Sequence, residues 1–299
     1  MGKIAFIFSG QGDQYSGMGK ELYETFPVAR EIFSICEKIR PNTLKQCFYG
    51  TEEELAVTRN TQPCLFAMEL AASNVLYHHG IVPDVVAGFS LGEVTACTFS
   101  GLFDVETGFR LVCKRGELMQ REAEKYDSFM AVVLKLNNHQ VQEICIKHKG
   151  IYPVNYNCPG QITVSGSRTH LEKFKEDIKK AGGRTIPLKV NGAFHSPYME
   201  QAAEDFLLEL KNTDKQERKF QLYSNMTGTP YTQDVDGLLS RQISNPVLWE
   251  KTIRNMIFYG IDTFIEVGPG KTLTGMVKKI DKGVKAVTFM DYLKEAGIC

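Results

Sequence analysis

Short apolar runs alternate along this chain with longer segments whose apolar residues recur at helical spacing, and this alternation restricts the fold more than any other feature. Pro63 is expected at the first position of a helix, where its missing N–H costs nothing. An alternation of strands and helices predicts an α/β fold with a parallel sheet covered by helices. The predicted strands are 4–8, 85–89, 220–224, 262–267 and 284–289, and the predicted helices are 19–26, 28–39, 63–79, 104–124, 197–211 and 246–259, with two more from about 91 and 270.

The rhythm changes between residues 127 and 192. The order of elements there, β-α-β-β-α-β, is typical of a ferredoxin-like arrangement. We therefore expect a small subdomain at 127–192, inserted into a larger subdomain formed by residues 1–126 and 193–299. Its predicted elements are strand 129–136, helix 139–148, strands 152–156 and 161–165, helix 168–181 and strand 184–190.

The composition argues against several classes of protein. With 299 residues, 43% of them hydrophobic, the chain is long enough to bury a large core. Lysine plus arginine and aspartate plus glutamate each total 35, so no net charge favours nucleic acid or an anionic membrane as a partner. The eight cysteines form no Cys-x-x-Cys pair, which argues against a structural zinc or a disulfide framework and favours a reducing compartment.

No targeting or membrane segment is recognised. The apolar run at 4–8 is too short for a signal peptide. No stretch approaches the roughly 20 apolar residues of a membrane-spanning helix, so the expected location is the cytoplasm.

The pentapeptide Gly88-Phe89-Ser90-Leu91-Gly92 lies between an apolar run and a helical segment. A strand, a tight turn flanked by glycines and a helix are the context of a nucleophile elbow. The hydroxyl of Ser90 then stands at a helix N-terminus, where free amides and the helix dipole favour a developing oxyanion. The alternative is a serine in an ordinary glycine-rich turn. The flanking strand and helix favour the elbow, with Ser90 as nucleophile.

A serine nucleophile needs an adjacent base, which is usually histidine. His195 is the candidate, because it lies in a loop between the small subdomain and the helix predicted from Pro197, and catalytic side chains concentrate in such loops. The alternative is a histidine that caps this helix. The other five are interpreted as helix C-caps (His78, His79) or as surface residues of the small subdomain (His139, His148, His170).

No carboxylic acid between Ser90 and His195 lies in a recognisable loop at the end of a strand. A triad in the chain order of the α/β-hydrolases is therefore not expected. The sequence predicts a Ser-His dyad whose imidazole is oriented by another group, and a main-chain carbonyl that accepts from Nδ1–H fixes the tautomer equally well.

Eight short motifs give the chain a resemblance to a known family. In their order and approximate spacing they resemble the malonyl-CoA:acyl carrier protein transacylases and the acyltransferase domains of polyketide and fatty acid synthases, over nearly the whole chain. The resemblance implies an α/β-hydrolase-like large subdomain beside the ferredoxin-like one. The motifs are Phe8-Ser9-Gly10-Gln11-Gly12, Thr61-Gln62-Pro63, Gly88-Phe89-Ser90-Leu91-Gly92-Glu93, Lys114-Arg115-Gly116 with Met119-Gln120, Asn155-Tyr156-Asn157-Cys158-Pro159-Gly160, Gly192-Ala193-Phe194-His195-Ser196, Asn245-Pro246-Val247 with Trp249, and Glu266-Val267-Gly268-Pro269-Gly270.

The resemblance assigns roles to the reacting groups. It implies that Ser90 is acylated and that His195 is its base. The main-chain amides of Gln11 and Leu91 are implied to form the oxyanion hole. The main-chain carbonyl of Gln242 is implied to orient the histidine, which accounts for the missing acid.

The resemblance also implies the substrate. Arg115 is implied to pair with the free carboxylate of malonyl, which a planar guanidinium binds through two parallel hydrogen bonds. From the residues alone, Arg115 is interpreted as a surface residue of a charged helix. Gln62 is expected to hold the arginine or the acyl carbonyl, and Asn157 to line the pocket, although both are also candidates for simple loop-capping amides. Phe194, directly before His195, resembles the pattern of the malonyl-type members of the modular acyltransferase domains. The methylmalonyl-type members of those domains carry serine at this position.

Two residues depart from the family's pattern. Phe89 stands where many members have histidine before the nucleophile, and Asp13 stands where serine commonly follows Gly-Gln-Gly. Phe89 removes one polar group near the site, so the hydrogen bonding around the nucleophile stays open. Asp13 is a candidate cap of the helix that follows.

The implied reaction is transfer of malonyl from malonyl-CoA to the phosphopantetheine thiol of holo acyl carrier protein, through a malonyl-serine intermediate. Coenzyme A enters as the thioester substrate, and no cofactor or metal is expected; the chain is expected to be a monomer. The pathway stays open between fatty acid biosynthesis and a polyketide synthase served in trans. A serine thioesterase or hydrolase of the same fold and an idle carrier-binding module are further alternatives.

Carrier proteins are acidic, so a basic patch is expected at the pocket mouth, with the candidates Lys114, Lys189, Lys271, Lys278 and Lys279.

Overall fold

The computed structural model describes residues 2–190 and 192–298. The strands are β1 Lys3–Phe8, β2 Val85–Gly88, β3 Ser128–Leu134, β4 Ile151–Cys158, β5 Gln161–Ser167, β6 Arg184–Pro187, β7 Gln221–Leu222, β8 Ile261–Val267 and β9 Lys285–Thr288. The α-helices are α1 Lys20–Thr25, α2 Pro27–Ile39, α3 Thr43–Tyr49, α4 Glu52–Ala56, α5 Thr58–His78, α6 Gly92–Phe99, α7 Val105–Ala123, α8 Asn138–Lys147, α9 Leu171–Lys180, α10 Glu200–Lys211, α11 Val235–Arg241, α12 Trp249–Phe258, α13 Thr272–Ile280 and α14 Phe289–Glu295. Short 3-10 helices at Arg168–His170 and Pro197–Met199 lead into α9 and α10.

A parallel sheet in the order β7-β2-β1-β8-β9 forms the larger part of the molecule. β1 lies at its centre, where Phe8 is in register with Gly88 on one side and Val267 on the other. Residues 5–8 of β1 are fully buried, as expected for a strand that is covered by helices on both faces. Because parallel strands end at the same edge, the loops after β1, β2, β7 and β8 converge there, and ligand sites in such sheets form at this edge.

An antiparallel sheet in the order β4-β5-β3-β6 forms the smaller part, with α8 and α9 packed against it. Its core contains Val133, Phe174 and Ile178. The two parts are joined at Val247, whose amide donates to the carbonyl of Val154 and whose carbonyl accepts from the amide of residue 156, both at 2.9 Å. The predicted α/β fold with a parallel sheet and a separate β-α-β-β-α-β unit is confirmed. The exact subdomain limits stay a prediction.

The start of α5 differs from the predicted one. The helix begins at Thr58, so that Pro63 lies inside it and not at its first position. The amides of Asn60 and Thr61 both donate to the carbonyl of Val57, so the helix is already nucleated before the chain reaches the proline. Pro63 therefore lies in an established helix, where it removes the bond that its own N–H would have made to the carbonyl four residues earlier.

The sequence does not predict the short helices α3, α4, α11 and α14. Each has 5 to 7 residues, which is fewer than two turns, so a helical period is not visible in the sequence. β6 and β7 are shorter than the strands predicted at 184–190 and 220–224. Within residues 2–190 and 192–298, no helix combines the length and the apolar composition that a membrane crossing needs.

Candidate active site

Ser90 lies in a sharp turn between β2 and α6. Its φ of +55° is in the left-handed region, which is costly for a residue with a side chain and has to be imposed by its surroundings. A Cβ on Gly88 would lie 1.8 Å from the main-chain carbon of Gly92, and a Cβ on Gly92 would lie 2.4 Å from the carbonyl oxygen of Phe8. Only glycine fits at these two positions, and the turn has the geometry of a nucleophile elbow.

Asn225 supports this turn from the loop after β7. Its Oδ1 accepts from the amide of Ser90 at 2.8 Å, and its Nδ2 donates to the carbonyl of Gly88 at 2.5 Å. Its own amide donates to Glu93 Oε1 at 2.9 Å. Sequence reasoning missed Asn225. The available signal was its position just beyond the carboxyl end of a predicted strand, where sites form in parallel sheets.

His195 reaches the hydroxyl of Ser90 although 105 residues separate them in the sequence. Nε2 of the imidazole lies 2.7 Å from Ser90 Oγ, and Nδ1 lies 2.7 Å from the main-chain oxygen of Gln242. Because a carbonyl oxygen only accepts, Nδ1 carries the hydrogen and the lone pair of Nε2 faces the hydroxyl. Among the residues that the structure describes, no carboxylate is hydrogen-bonded to this imidazole.

The imidazole of His195 is buried, with a residue exposure of 3%. Burial, followed by the positive charge of Arg115, lowers the pKa of His195 to about 4, while hydrogen bonds with the main chain at Gln242 and Asn245 act in the opposite direction. The imidazole is therefore neutral at neutral pH. A neutral imidazole is the form that can accept a proton from a serine hydroxyl.

Arg115 is fully buried at the same place, contrary to the surface position that its charged helix suggests. One Nη donates to Gln62 Oε1 at 2.8 Å; the other donates to Gln242 Oε1 at 2.7 Å and to Ser90 Oγ at 3.3 Å. The Nε–H has no acceptor among the described residues. Burial lowers the pKa of Arg115 to about 10, opposed by the charge of Glu93, so the guanidinium stays cationic at neutral pH.

A cavity of about 60 Å³ opens in front of the Ser90 hydroxyl. It adjoins a second cavity of about 270 Å³, and four residues line both: Gln11, Phe89, Asn155 and Leu188. Phe194 lines the smaller cavity. Asn157 lines the larger one, where its Nδ2 donates to Thr163 at 3.1 Å and its buried Oδ1 has no partner in the described part of the chain.

Gln11 and Leu91 also line the smaller cavity. Gln11 follows β1, and Leu91 directly precedes α6, so each main-chain amide lies at the carboxyl edge of the sheet. In the part of the chain that the structure describes, neither amide donates to a protein acceptor. Both N–H groups are therefore free to bind a ligand.

Phe89 and Asp13, the two residues that depart from the family's pattern, each contact another part of the protein. The ring of Phe89 packs edge-on against Trp249, with the ring centres 5.4 Å apart, so an apolar contact occupies the place of the usual polar group. Asp13 accepts from the hydroxyl of Thr272 at 2.6 Å. It therefore links the loop after β1 to the start of α13 and does not cap the helix that follows it, whose N-cap is Gly19.

His148 does not lie at the surface, which is the position predicted for it from the sequence. It is buried, and its Nε2 lies 3.0 Å from Asp177 Oδ2. The end of α8 faces α9 there, so the imidazole packs between the two helices instead of facing solvent. At the end of α5, Nδ1 of His79 lies 2.8 Å from the carbonyl of Val75, in agreement with a role at the helix end.

Comparisons with known proteins identify the family to which the chain belongs. The family model described as acyl transferase domain matches residues 5–294. The chain belongs to the acyltransferase family. The malonyl CoA-acyl carrier protein transacylase of Bacillus subtilis is 37% identical to it over 299 residues, which cover 97% of this chain and 94% of that protein.

Solved structures agree with this assignment. The crystal structure of malonyl CoA-acyl carrier protein transacylase from Clostridium perfringens is similar to the acyltransferase with a TM-score of 0.93 and 37% identity, covering 99% of this chain and 98% of that one. A structure of a type II polyketide synthase acyl carrier protein in complex with its malonyl-transacylase has a TM-score of 0.93 at 30% identity, covering 98% of this chain and 99% of that one.

The acyltransferase thus brings the predicted site residues together in two groups. Hydrogen bonds join the first group, namely Ser90, His195, Gln242, Arg115 and Gln62. The second group lines the two cavities, namely Gln11, Leu91, Phe194 and Asn157. Sequence reasoning missed that the side-chain amide of Gln242 contacts Arg115. Among the described residues, no three His, Cys, Asp or Glu side chains are grouped so as to hold a metal ion.

Proposed function

We propose that this acyltransferase moves a malonyl group from coenzyme A to the phosphopantetheine thiol of an acyl carrier protein, with the group held in between on Ser90. One observation carries the proposal: the fully buried guanidinium of Arg115 lies 3.3 Å from the Ser90 hydroxyl. A buried cation beside a nucleophile suits an acyl group that ends in a carboxylate, as malonyl does. The relatives named malonyl CoA-acyl carrier protein transacylase support the same donor and acceptor.

In the first half-reaction, Nε2 of His195 accepts the proton of the Ser90 hydroxyl while Oγ attacks the thioester carbon of malonyl-CoA. The amides of Gln11 and Leu91 donate to the oxyanion of the tetrahedral intermediate, and the loss of one such donor typically costs a factor of about 10² to 10³ in rate. As the C–S bond breaks, His195 passes the proton to the sulfur. Coenzyme A leaves as the thiol, and the malonyl ester remains on Ser90.

In the second half-reaction, the thiol of the carrier protein gives its proton to His195 and attacks the ester carbon. The C–O bond to Ser90 breaks, and the serine oxygen takes the proton from the imidazole. The sequence of events is ping-pong, because coenzyme A leaves before the carrier thiol reacts. Each half-reaction exchanges an ester and a thioester without a change of oxidation state, so the chemistry calls for no redox cofactor.

The pocket residues select and orient the malonyl group. The oxygens of Gln62 and Gln242 hold the guanidinium of Arg115, which keeps its charge available for the substrate carboxylate because neither amide is anionic. Phe194 limits the space beside Ser90 and so favours an acyl group without an α-branch. Asn157 lines the larger cavity, through which the arm of the thiol substrate passes.

The acidic surface of a carrier protein is expected to meet basic residues near the mouth of the cavities. Lys189 is exposed and directly follows a residue that lines both cavities, and Lys279 donates at 3.1 Å to Gln161, which lines the larger one. Lys114 lies elsewhere, on α7, where it pairs with a glutamate of α10 at 3.7 Å. Lys271 is likewise exposed and directly precedes Thr272, which lines the larger cavity. We therefore assign the docking surface to Lys189, Lys271 and Lys279.

The test is transfer of label from malonyl-CoA, labelled in the malonyl group, to holo acyl carrier protein. The proposal expects label on the carrier with the wild-type protein and none with Ser90→Ala. Release of labelled malonate to water in place of carrier labelling would support a hydrolase instead. Equal carrier labelling by both proteins would reject Ser90 as the nucleophile. Parallel assays with fatty acid and polyketide carriers, which present the same thiol, identify the pathway.

A further inference from the structure

Glu93 is a buried carboxylic acid on the first turn of α6, three residues after Ser90. Three neighbouring groups donate hydrogen bonds to its carboxyl oxygens. Oε1 accepts from the amide of Asn225 at 2.9 Å and from the hydroxyl of Tyr231 at 2.7 Å. Oε2 accepts from Nε2 of Gln242 at 2.7 Å. Glu93 has no role in the reaction proposed above. Burying a carboxylic acid costs free energy, so we expect its contacts to serve the structure or the site.

The contact with Glu93 determines how the amide of Gln242 is turned. Nε2 of Gln242 also donates to the main-chain carbonyl of Ser90 at 2.6 Å, so both of its hydrogens are used by oxygens that only accept. The oxygen of the same amide is therefore turned towards Arg115, whose Nη donates to it at 2.7 Å. In the reverse orientation, the oxygen of the Gln242 amide would face the oxygens of Ser90 and Glu93, and its NH2 group would face the N–H groups of Arg115. All of these contacts would be repulsive.

We infer that Glu93 is a positioning residue: by fixing the amide of Gln242 it keeps an acceptor on Arg115 and so holds the guanidinium where it meets the carboxylate of the acyl group. The inference rests on the proposed function, because it concerns selection of an acyl group with a carboxylate. It also separates two roles of Gln242. The main-chain carbonyl orients His195, and the side chain orients Arg115, so the second role can be lost while the first remains.

The protonation state of Glu93 does not remove this effect. Burial raises the pKa of Glu93 to about 7, against the hydrogen bonds from Tyr231, Asn225 and Gln242 and the charge of Arg115. When Oε1 is protonated, it can donate to the oxygen of the Tyr231 hydroxyl, which both donates and accepts. Oε2 then still accepts from Gln242. The amide orientation is the same in both states.

The main test replaces Glu93 by Gln, which has the same shape but one acceptor fewer. The main-chain N–H of Asn225 cannot turn away, so the new amide nitrogen faces Gln242 and the two nitrogens repel each other. Gln242 then reverses or withdraws, and Arg115 loses its acceptor. The readout is the ratio of the rates at which malonyl-CoA and acetyl-CoA acylate Ser90, with acylation measured by intact-protein mass. This ratio reports on Arg115 because only malonyl carries a carboxylate. We expect E93Q to lower this ratio by about tenfold or more.

A matched control is Tyr231→Phe, which removes another hydrogen bond of Glu93 but leaves Gln242 in place. It is expected to lower the midpoint of thermal unfolding while the ratio stays within about twofold of the wild-type value. A purely structural role of Glu93 predicts a different pattern, in which E93Q and Y231F reduce both acylation rates in parallel. That pattern would overturn the inference.

A double-mutant cycle with Gln242→Met tests whether Glu93 acts through Gln242. Methionine keeps the main-chain carbonyl for His195 but cannot accept from Arg115 as an amide does, so Q242M alone is expected to lower the ratio. Adding E93Q to Q242M should change the ratio no further. A wild-type ratio in Q242M rejects the inference even where E93Q does not fold, and a further fall in the double variant rejects the route through Gln242. Absence of a malonyl adduct on the wild-type protein would instead reject the proposed function.

Discussion

Nδ1 of His195 donates to the main-chain oxygen of Gln242 across 2.7 Å, and this contact replaces the carboxylate that usually orients a catalytic histidine. Both a carbonyl and a carboxylate fix the tautomer that leaves Nε2 free for the serine hydroxyl. They differ in charge. A carboxylate stabilises the imidazolium, whereas a neutral carbonyl does so only weakly, and here burial and Arg115 lower the pKa of the imidazole.

The first prediction concerns the pH dependence of Ser90 acylation by acetyl-CoA. Since the pKa of His195 is lowered from 6.5 to about 4, the imidazole keeps its proton-accepting form as the pH falls through 6.5. The rate is expected to stay constant across that pH and to decline only as the pH approaches 4. Rapid-quench mass spectrometry measures it directly. A decline centred on the ordinary pKa of histidine would contradict the account of the site.

The second prediction concerns Arg115→Ala. Removing the guanidinium leaves a malonyl carboxylate in a buried place without a counter-charge, so kcat/KM for malonyl transfer is expected to fall by about a hundredfold. Transfer of acetyl should fall far less, since acetyl carries no carboxylate. Arg115→Lys is the matched variant that keeps the charge but cannot reach both Gln62 and Gln242; it should recover only part of the loss. Equal falls for both acyl groups would assign Arg115 a structural role.

The third prediction concerns the elbow. Gly88→Ala would force a Cβ to within 1.8 Å of the main chain of Gly92, so the loss in free energy of unfolding is expected to be about 3 kcal/mol or more. Gly275→Ala is the control, because a Cβ there meets nothing within 4 Å. In the middle of α13 it should stabilise the protein by about 1 kcal/mol. Urea denaturation of both variants checks this, and similar values for the two would contradict the packing described for the turn.

The fourth prediction concerns the size of the acyl group. Phe194 lines the cavity of about 60 Å³ beside Ser90, so Phe194→Leu should raise acylation by methylmalonyl-CoA relative to malonyl-CoA. Phe206→Leu is the matched control, since Phe206 is buried in the same core cluster but does not line that cavity. The relative rates are measured by competition between the two thioesters. If Phe206→Leu shifted them as much as Phe194→Leu, general loosening of the core would explain the effect.

Ser90 could be predicted from the sequence because its turn is a local feature: two glycines, a strand and a helix lie within a few residues of it. Asn225 and the side chain of Gln242 could not, because they act on Ser90 over separations of 135 and 152 residues. No periodicity or spacing records such contacts. The resemblance to a family identified the carbonyl of Gln242 but did not show that its amide faces Arg115. The burial of Arg115 was likewise hidden, because its charged helix reads as a surface helix.

The most direct test of the central claim is to mix the protein with malonyl-CoA, quench it in acid and map the modified residue by peptide mass spectrometry. The account predicts one malonyl ester, on Ser90, which disappears when holo acyl carrier protein is added before the quench. The ester should be absent in Ser90→Ala and should form much more slowly in His195→Ala. A malonyl group on any other residue, or an ester on Ser90 that forms equally fast without His195, would contradict the account.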